Sequence, residues 1–476
     1  MLEINNISAT HAALRQIAAI VGENHVLTHN SSNHSDNDLI AYEQDWRKRQ
    51  RGKALAVVRP ASTLEVAEIV KICAAARISI VPQGGNTGMV AGSTPDASGT
   101  QIVLSLQRMN RIRKLDADNL TITLEAGCIL HNVLSLCEQN GFLFPLRMAS
   151  QGSCTIGGNL GTNAGGTQVV RFGNTRELCL GLEVVTAQGA IWDGLTGLRK
   201  DNTGYDLRHL MIGSEGTLGI ITAAVMKIFP QPAVQLTAFA AVPNLDAAVQ
   251  LLGLAHRYLG AGLTGFEVMN AHAIQLVEKH FPQVRIPFIS PYCVVLENSD
   301  QESPDHARER LEALLEAALE SGCVSDAVAA ESIAQARELW KIRESIPLAQ
   351  AQEGANVKHD ISIPISQIPA FVAETDALLA QAFPGMQLVN YGHLGDGNLH
   401  YNVQTAMENE SAIHALVYAQ VARFRGSMSA EHGIGSVKRE ELAHYKSPAA
   451  LDMMHALKRA LDPLNILNPN RVLLIS

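Results

Sequence analysis

An α+β fold is predicted: two α+β domains, the second with an antiparallel sheet, and a C-terminal segment that returns to the first. Three observations predict it. Strand-like and helix-like stretches alternate along most of the chain. Several strands are joined by turns too short for a crossover helix, such as Gln188-Gly189, which argues against a purely parallel doubly wound sheet. The chain, at 476 residues, is also too long for one ordinary core. The expected divisions are 1–232, 233–425 and 426–476.

The opening segment, MLEINNISATHAALRQIAAIVG, reads as a short amphipathic helix closed by Gly22. ALAVVRP, from Ala54, reads as a strand. Ser62 with Glu65 then makes a capping-box start for a helix through Ala76. Further strands are expected at ISIVPQGG, QIVLSL, LTITLEAG, GLEVVTAQG and LGIITAAVMKIF. Pro230 and Pro232 mark the boundary to the second domain. There LTAFAAV, LDAAVQLLGLAHRYLG, YCVVLENS and HARERLEALLEAALESG alternate as strand and helix, which suits a sheet with helices on one face. The tail LDPLNILNPNRVL has too little apolar sequence to stand alone and is expected to pack on an earlier domain.

Composition narrows the function. With 47% hydrophobic and 17% charged residues the chain is globular. A net charge of −9 speaks against nucleic acid as a partner, and no basic face is expected. No apolar run approaches the ~18 residues of a membrane span. The N-terminal residues lack the pattern of an export signal. Seven cysteines without a C-x-x-C pair suggest reduced, buried thiols and a cytoplasmic protein.

Three segments concentrate glycine: PQGGNTGMVAG from Pro82, SQGSCTIGGNLGTNAGG from Ser150, and GSEGTLGI from Gly213. Any one of them could serve only tight turns and bulges. Three in one half of the chain point to a large phosphate-bearing ligand, because glycine lets backbone N–H groups approach an anion closely. None has the G-x-G-x-x-G spacing of a nicotinamide site, and the P-loop pattern is absent.

PQGGNTG, GGNLGTNAGG and GSEGTLGI, in this order, resemble the FAD-binding half of the vanillyl-alcohol-oxidase/p-cresol-methylhydroxylase flavoproteins. Within that superfamily the chain resembles, from about Tyr42 onward, the FAD-linked D-2-hydroxyacid dehydrogenases, which include D-lactate and D-2-hydroxyglutarate dehydrogenases. The resemblance implies that Pro82, Gln83, Gly84, Gly85, Asn86, Thr87 and Gly88 cradle the pyrophosphate. It implies that Ser150, Gly152, Thr155, Gly158, Asn159, Gly161 and Gly165 line the flavin, that Glu215, Gly216, Gly219 and Ile220 lie near the adenosine side, and that Asn468 also binds the cofactor. Some relatives attach the flavin through histidine or cysteine. The first loop has neither, so non-covalent FAD is expected.

GHLGDGNLH, from Gly392 to His400, places two histidines around an Asp-Gly pair. A two-residue turn at Asp396-Gly397 would oppose His393 to His400 on one face, where both imidazoles could reach one ion. Glu431 of SAEHGIG and Asp396 are the candidate third ligands, and the residues alone rank them weakly. The family resemblance selects His393, His400 and Glu431, with zinc first and iron or manganese as alternatives. It also implies His432 as the base that takes the hydroxyl proton while hydride leaves C2 for flavin N5. Arg343, Lys358 and Asn402 match the family's substrate contacts, Arg343 on a helix through ELWKIRESIP and Lys358 on a strand through NVKHDISIP. Some D-2-hydroxyglutarate enzymes have threonine where this chain has Pro347, which weakens the dicarboxylate reading without excluding it.

The expected activity is oxidation of a D-2-hydroxyacid, D-2-hydroxyglutarate before D-lactate, because two cations can serve two carboxylates. A zinc hydrolase using Glu431 and His432 to activate water is the rival from another class. The electron acceptor is left open among an electron-transfer flavoprotein, a quinone and a cytochrome. A homodimer is among the states the sequence allows.

Overall fold

The computed structural model describes residues 2–29 and 36–474. The chain forms two compact units. The first comprises Met1–Ala164, Asn174–Pro230 and Glu431–Ser476; the second comprises Gly165–Gly173 and Gln231–Ala430. Gly165–Gly173 thus belongs to the second unit, although it was expected with the first.

In the first unit β1 (Val26–Leu27), β2 (Ala54–Val58), β3 (Ile80–Gln83) and β4 (Gln101–Ser105) form a sheet of order β1-β2-β4-β3. β4 runs parallel to both β2 and β3, while β1 is antiparallel to β2. The helix Thr63–Ala76 connects β2 to β3. Ser62 Oγ accepts the Glu65 N–H at 3.2 Å, but the Glu65 carboxylate reaches back to Ala61 N rather than to Ser62 N. This helix buries Val66, Ile69 and Val70 against Ala56, Val58, Ile102 and Leu104.

Next come β5 (Ile112–Asp116), β6 (Thr121–Glu125), β7 (Phe142–Leu143), β8 (Cys179–Val185), β9 (Ile191–Gly194), β10 (Ile220–Lys227) and β11 (Phe229–Pro230). Five of them make an antiparallel sheet, β5-β6-β10-β8-β9, and β7 pairs with β11. Residues Glu431–Ser476 complete this unit. Ile466 and Leu467 enter the core of the first sheet, Ile80 N donates to Ile466 O at 2.7 Å, and Asn468 N donates to Ile80 O at 2.7 Å.

The second unit contains β12 (Val234–Val242), β13 (Leu263–Asn270), β14 (Tyr292–Asp300), β15 (Asp326–Ala329), β16 (Asn356–Val357), β17 (Asp360–Ser362), β18 (Gln387–Gly392) and β19 (Asn398–Gln404). They build an antiparallel sheet of order β15-β12-β14-β13-β18-β19-β16, with β17 also on β19. The helices Leu245–Leu259 and Pro304–Glu320 begin at Asn244 and Ser303, each accepting a backbone N–H in its first turn. Among the described residues all seven cysteines are buried and unbridged, and no helix is long and apolar enough to cross a membrane.

Candidate active site

Within the first unit, the three glycine-rich segments line one cavity. The first loop leaves β3 at Gln83 and packs on the second so closely that a Cβ on Gly85 would sit 2.0 Å from Ser153 O. The second loop turns into the helix Ile156–Thr162, whose Gly157 would bring a Cβ within 2.6 Å of Ala126 Cβ. Glycine at both points is a steric requirement. By contrast, a Cβ on Gly88 or Gly161, which also line the cavity, would meet nothing within 4 Å. Space is therefore open where the backbone is bare. Gln83 lines the same cavity, and its buried Oε1 has no protein partner. A flavin nucleotide fits such a wall, with bare backbone for phosphates and an orphan acceptor for a hydroxyl or amino group.

His432 also lines this cavity, although it lies more than 200 residues along the chain from Ile221. Val90, Gly92, Ser93 and Cys154 are further lining residues that sequence reasoning missed. Of the expected flavin contacts, Ser150, Gly152, Gly165 and Asn468 do not line it. Asn468 instead donates from Nδ2 to Gly92 O and Glu215 O, at 2.9 and 2.7 Å, and so ties two lining segments together. Glu215 has a left-handed backbone, and its carboxylate accepts the N–H groups of Ile434 and Gly435 at 2.7 and 2.8 Å. Burial raises its pKa, and those two bonds act against the rise. Glu215 therefore holds the turn that follows His432. Lys458 is buried and donates to Thr217 O, Leu467 O and Asp462, which fixes the third glycine loop to the C-terminal segment.

The second unit holds His393 and His400, but not in the expected register. Tyr391, rather than His393, lies opposite His400 across β18 and β19. A 3-10 turn at Leu394–Asp396 replaces the two-residue turn. The Asp396 carboxylate accepts the Asn398 N–H at 3.1 Å, and Gly397 takes the left-handed conformation that ends the turn. Lengthening the loop removes His393 from the ladder. The rings of His393 and His400 still come within 5.8 Å, centroid to centroid.

Glu267, which sequence reasoning did not single out, organises this site. It is fully buried on β13; one carboxylate oxygen meets His393 Nδ1 and the other accepts Arg343 Nε at 2.7 Å. Alternation along the strand puts Gly265 on the same face as Glu267, and the helix Ile333–Gln352 offers Trp340 and Arg343 one turn apart. Trp340 occupies the space that Gly265 leaves bare. Burial would raise the Glu267 pKa, but His393 and Arg343 outweigh it and hold the carboxyl at about 2. An ionised carboxylate only accepts, so His393 Nδ1 carries the proton and Nε2 is left for a ligand bond. The Arg343 guanidinium also lies over the Tyr391 ring at 4.7 Å, and that ring is 4.9 Å from His400. A charged residue inside an otherwise apolar strand, GFEVM, is the one sequence signal that could have revealed Glu267.

NVKHDISIP is two short strands, with Lys358 and His359 in a break between them. Asn402 spans the break: its Oδ1 accepts His359 N at 3.2 Å, and its Nδ2 donates to Gln350 Oε1 at 3.0 Å. Both ends of Asn402, expected on the substrate, are thus engaged with protein. Pro347 lies inside the helix and has no N–H to offer the Arg343 carbonyl one turn earlier. Ala430 N donates to Asp360 O at 3.3 Å, and Glu431 and His432 follow directly in the chain. Asp360 is the register partner of His400.

A split first unit with three glycine loops, and a second antiparallel sheet carrying the polar cluster, define a flavin-dependent oxidoreductase. Residues 231–472 match the C-terminal domain of FAD linked oxidases and residues 54–194 match an FAD binding domain, so the chain belongs to the FAD-linked oxidase family. It is 41% identical over 447 residues to a probable mitochondrial D-2-hydroxyglutarate dehydrogenase of Oryza sativa subsp. japonica, covering 92% of this chain and 78% of that protein. To a D-2-hydroxyglutarate dehydrogenase of Xanthomonas citri pv. viticola it is 39% identical, over 91% of this chain and 92% of that one. The solved structure of p-cresol methylhydroxylase with substrate bound shares the fold, with a TM-score of 0.75 at 16% identity over 98% and 97% of the two chains. The cytoplasmic expectation is overturned: the relatives from rice, Arabidopsis thaliana and Bos taurus are named as mitochondrial. Reduced thiols mark a reducing environment, and that property does not single out the cytoplasm.

Proposed function

We propose that this chain is an FAD-dependent dehydrogenase that oxidises D-2-hydroxyglutarate at C2 to the 2-oxoacid. The observation that carries the reading is the Glu267 bridge, which sets a guanidinium and a metal-type imidazole side by side. A 2-hydroxyacid needs a cation for its C1 carboxylate and a polarising group for its hydroxyl. Bound FAD supplies the acceptor for the two electrons that leave C2. A divalent ion, zinc by preference, would supply a Lewis acid on His393, His400 and Glu431; two imidazoles and one carboxylate are a set that leaves positions open. Arg343 binds and orients a carboxylate, its own direction set by Glu267 and Tyr391. Lys358 offers the second cation that a dicarboxylate calls for. His432 takes the hydroxyl proton on its ring nitrogen at the cavity wall. Asn402 keeps the Lys358-His359 break in place.

The test is a panel of D-2-hydroxyacids assayed with an artificial dye acceptor. D-2-hydroxyglutarate should give the highest kcat/KM, with its L enantiomer inert. Turnover of D-lactate equal to that of D-2-hydroxyglutarate would overturn the dicarboxylate assignment.

A further inference from the structure

The acidic chain gathers four arginines around one polar depression on its first unit. Arg49 and Arg51 come from the loop before β2, and Arg439 and Arg471 from the C-terminal segment. Asp96 is the one acidic residue in the lining. Arg471 is only 5% exposed; it donates to the carbonyl oxygens of Thr94 and Pro469, while its buried Nε has no partner. Among the described residues, Arg51, Arg439 and Arg471 form no ion pair, and Arg439 donates from Nε to Ser436 O instead. Burial pulls the Arg471 pKa down and Arg439 adds to the pull, with the Asp96 and Glu215 carboxylates acting against both. Burying a guanidinium without a counter-ion is costly, and crowding it with others adds to that cost. A bound anion removes both costs. Guanidinium forks match the paired oxygens of phosphate and carboxylate groups.

We propose that this depression is a binding site for a small polyanion, a molecule carrying at least two phosphate or carboxylate groups. Its charged groups meet Arg439, Arg51 and Arg49 at the rim, and the charge of the buried Arg471 guanidinium adds to theirs. Ser436, in the lining of the depression, donates its N–H to Val90 O in the wall of the flavin cavity at 3.0 Å. Val472 N, next to Arg471, donates to Gly435 O at 3.0 Å, so the depression and the cavity wall are bonded together.

The test is calorimetric titration of the FAD-loaded protein at constant ionic strength, with pyrophosphate in one arm and citrate in the other. Saturable binding of one molecule per chain in either arm is expected, and the stronger arm identifies the source as phosphate or carboxylate. Arg439→Ala and Arg51→Ala should each weaken binding by roughly tenfold or more, the weight of a charge-assisted contact. Neither side chain is fully buried, and unchanged flavin content shows that each variant is folded; if Arg439→Ala loses flavin, Arg51→Ala decides. Failure of both probes to bind beyond the response to sodium chloride of equal ionic strength overturns the proposal. So does binding left unchanged in both variants, or a response only to a polyanionic macromolecule such as polyglutamate.

Discussion

Glu267 accepts the Nδ1 proton of His393 from the floor of the second unit's sheet, and the same carboxylate accepts Nε of Arg343. One buried charge therefore sets two side chains of different function. Glu267→Gln should weaken metal binding by roughly 10–100-fold, the usual cost of losing such a partner, and should raise KM through Arg343. Glu267→Asp should recover part of both. Chelator competition reads the metal effect independently of turnover. Wild-type metal affinity in the glutamine variant would show that the bridge is structural only.

His432→Asn should keep FAD and slow flavin reduction by roughly 10²–10⁴-fold, the usual contribution of a general base. Anaerobic rapid mixing with substrate follows the flavin absorbance directly, whatever the natural electron acceptor is. Reduction at the wild-type rate would remove His432 from the proton path.

Acid precipitation should release the flavin into the supernatant. Cys154 lines the cavity, but burial raises its pKa and keeps it a thiol, a poor nucleophile for attachment. Colour retained in the pellet would contradict this.

Asp376 accepts a hydrogen bond from the Tyr401 hydroxyl, and burial raises its pKa from 3.8 to about 6, against the pull of that bond. The folded chain keeps this proton up to about pH 6, whereas the unfolded chain gives it up near 3.8. Asp376 therefore contributes less to stability as pH rises between those values, by on the order of 2 kcal/mol after allowing for its partial exposure. Asp376→Asn should lack this component. Urea midpoints measured from pH 4 to pH 7 should converge on, or cross, those of wild type, and parallel curves would rule out the assignment.

The glycine loops were legible because their chemistry is local: a bare backbone shows in the residue type. The two histidines were legible as a pair, yet their register was not. Asp-Gly signals a two-residue turn, and only the Asp396–Asn398 bond and the left-handed Gly397 select the longer one. Glu267 stayed hidden because its partners lie 76 and 126 residues away, and no pattern along the chain links them. The family resemblance assigns Asn402 to the substrate, and no pattern along the chain shows that the neighbouring strand is broken at Lys358-His359, where the Asn402 amide bonds the backbone.

The bonds from Ile80 to Ile466 and Asn468 also make the flavin unit discontinuous in sequence. Residues 231–430 are one uninterrupted stretch of the other unit, and the core of the first sheet takes in Ile466 and Leu467 from beyond them. A chain cut before Ile466, far along the sequence from every glycine loop, should therefore lose flavin by leaving that core open.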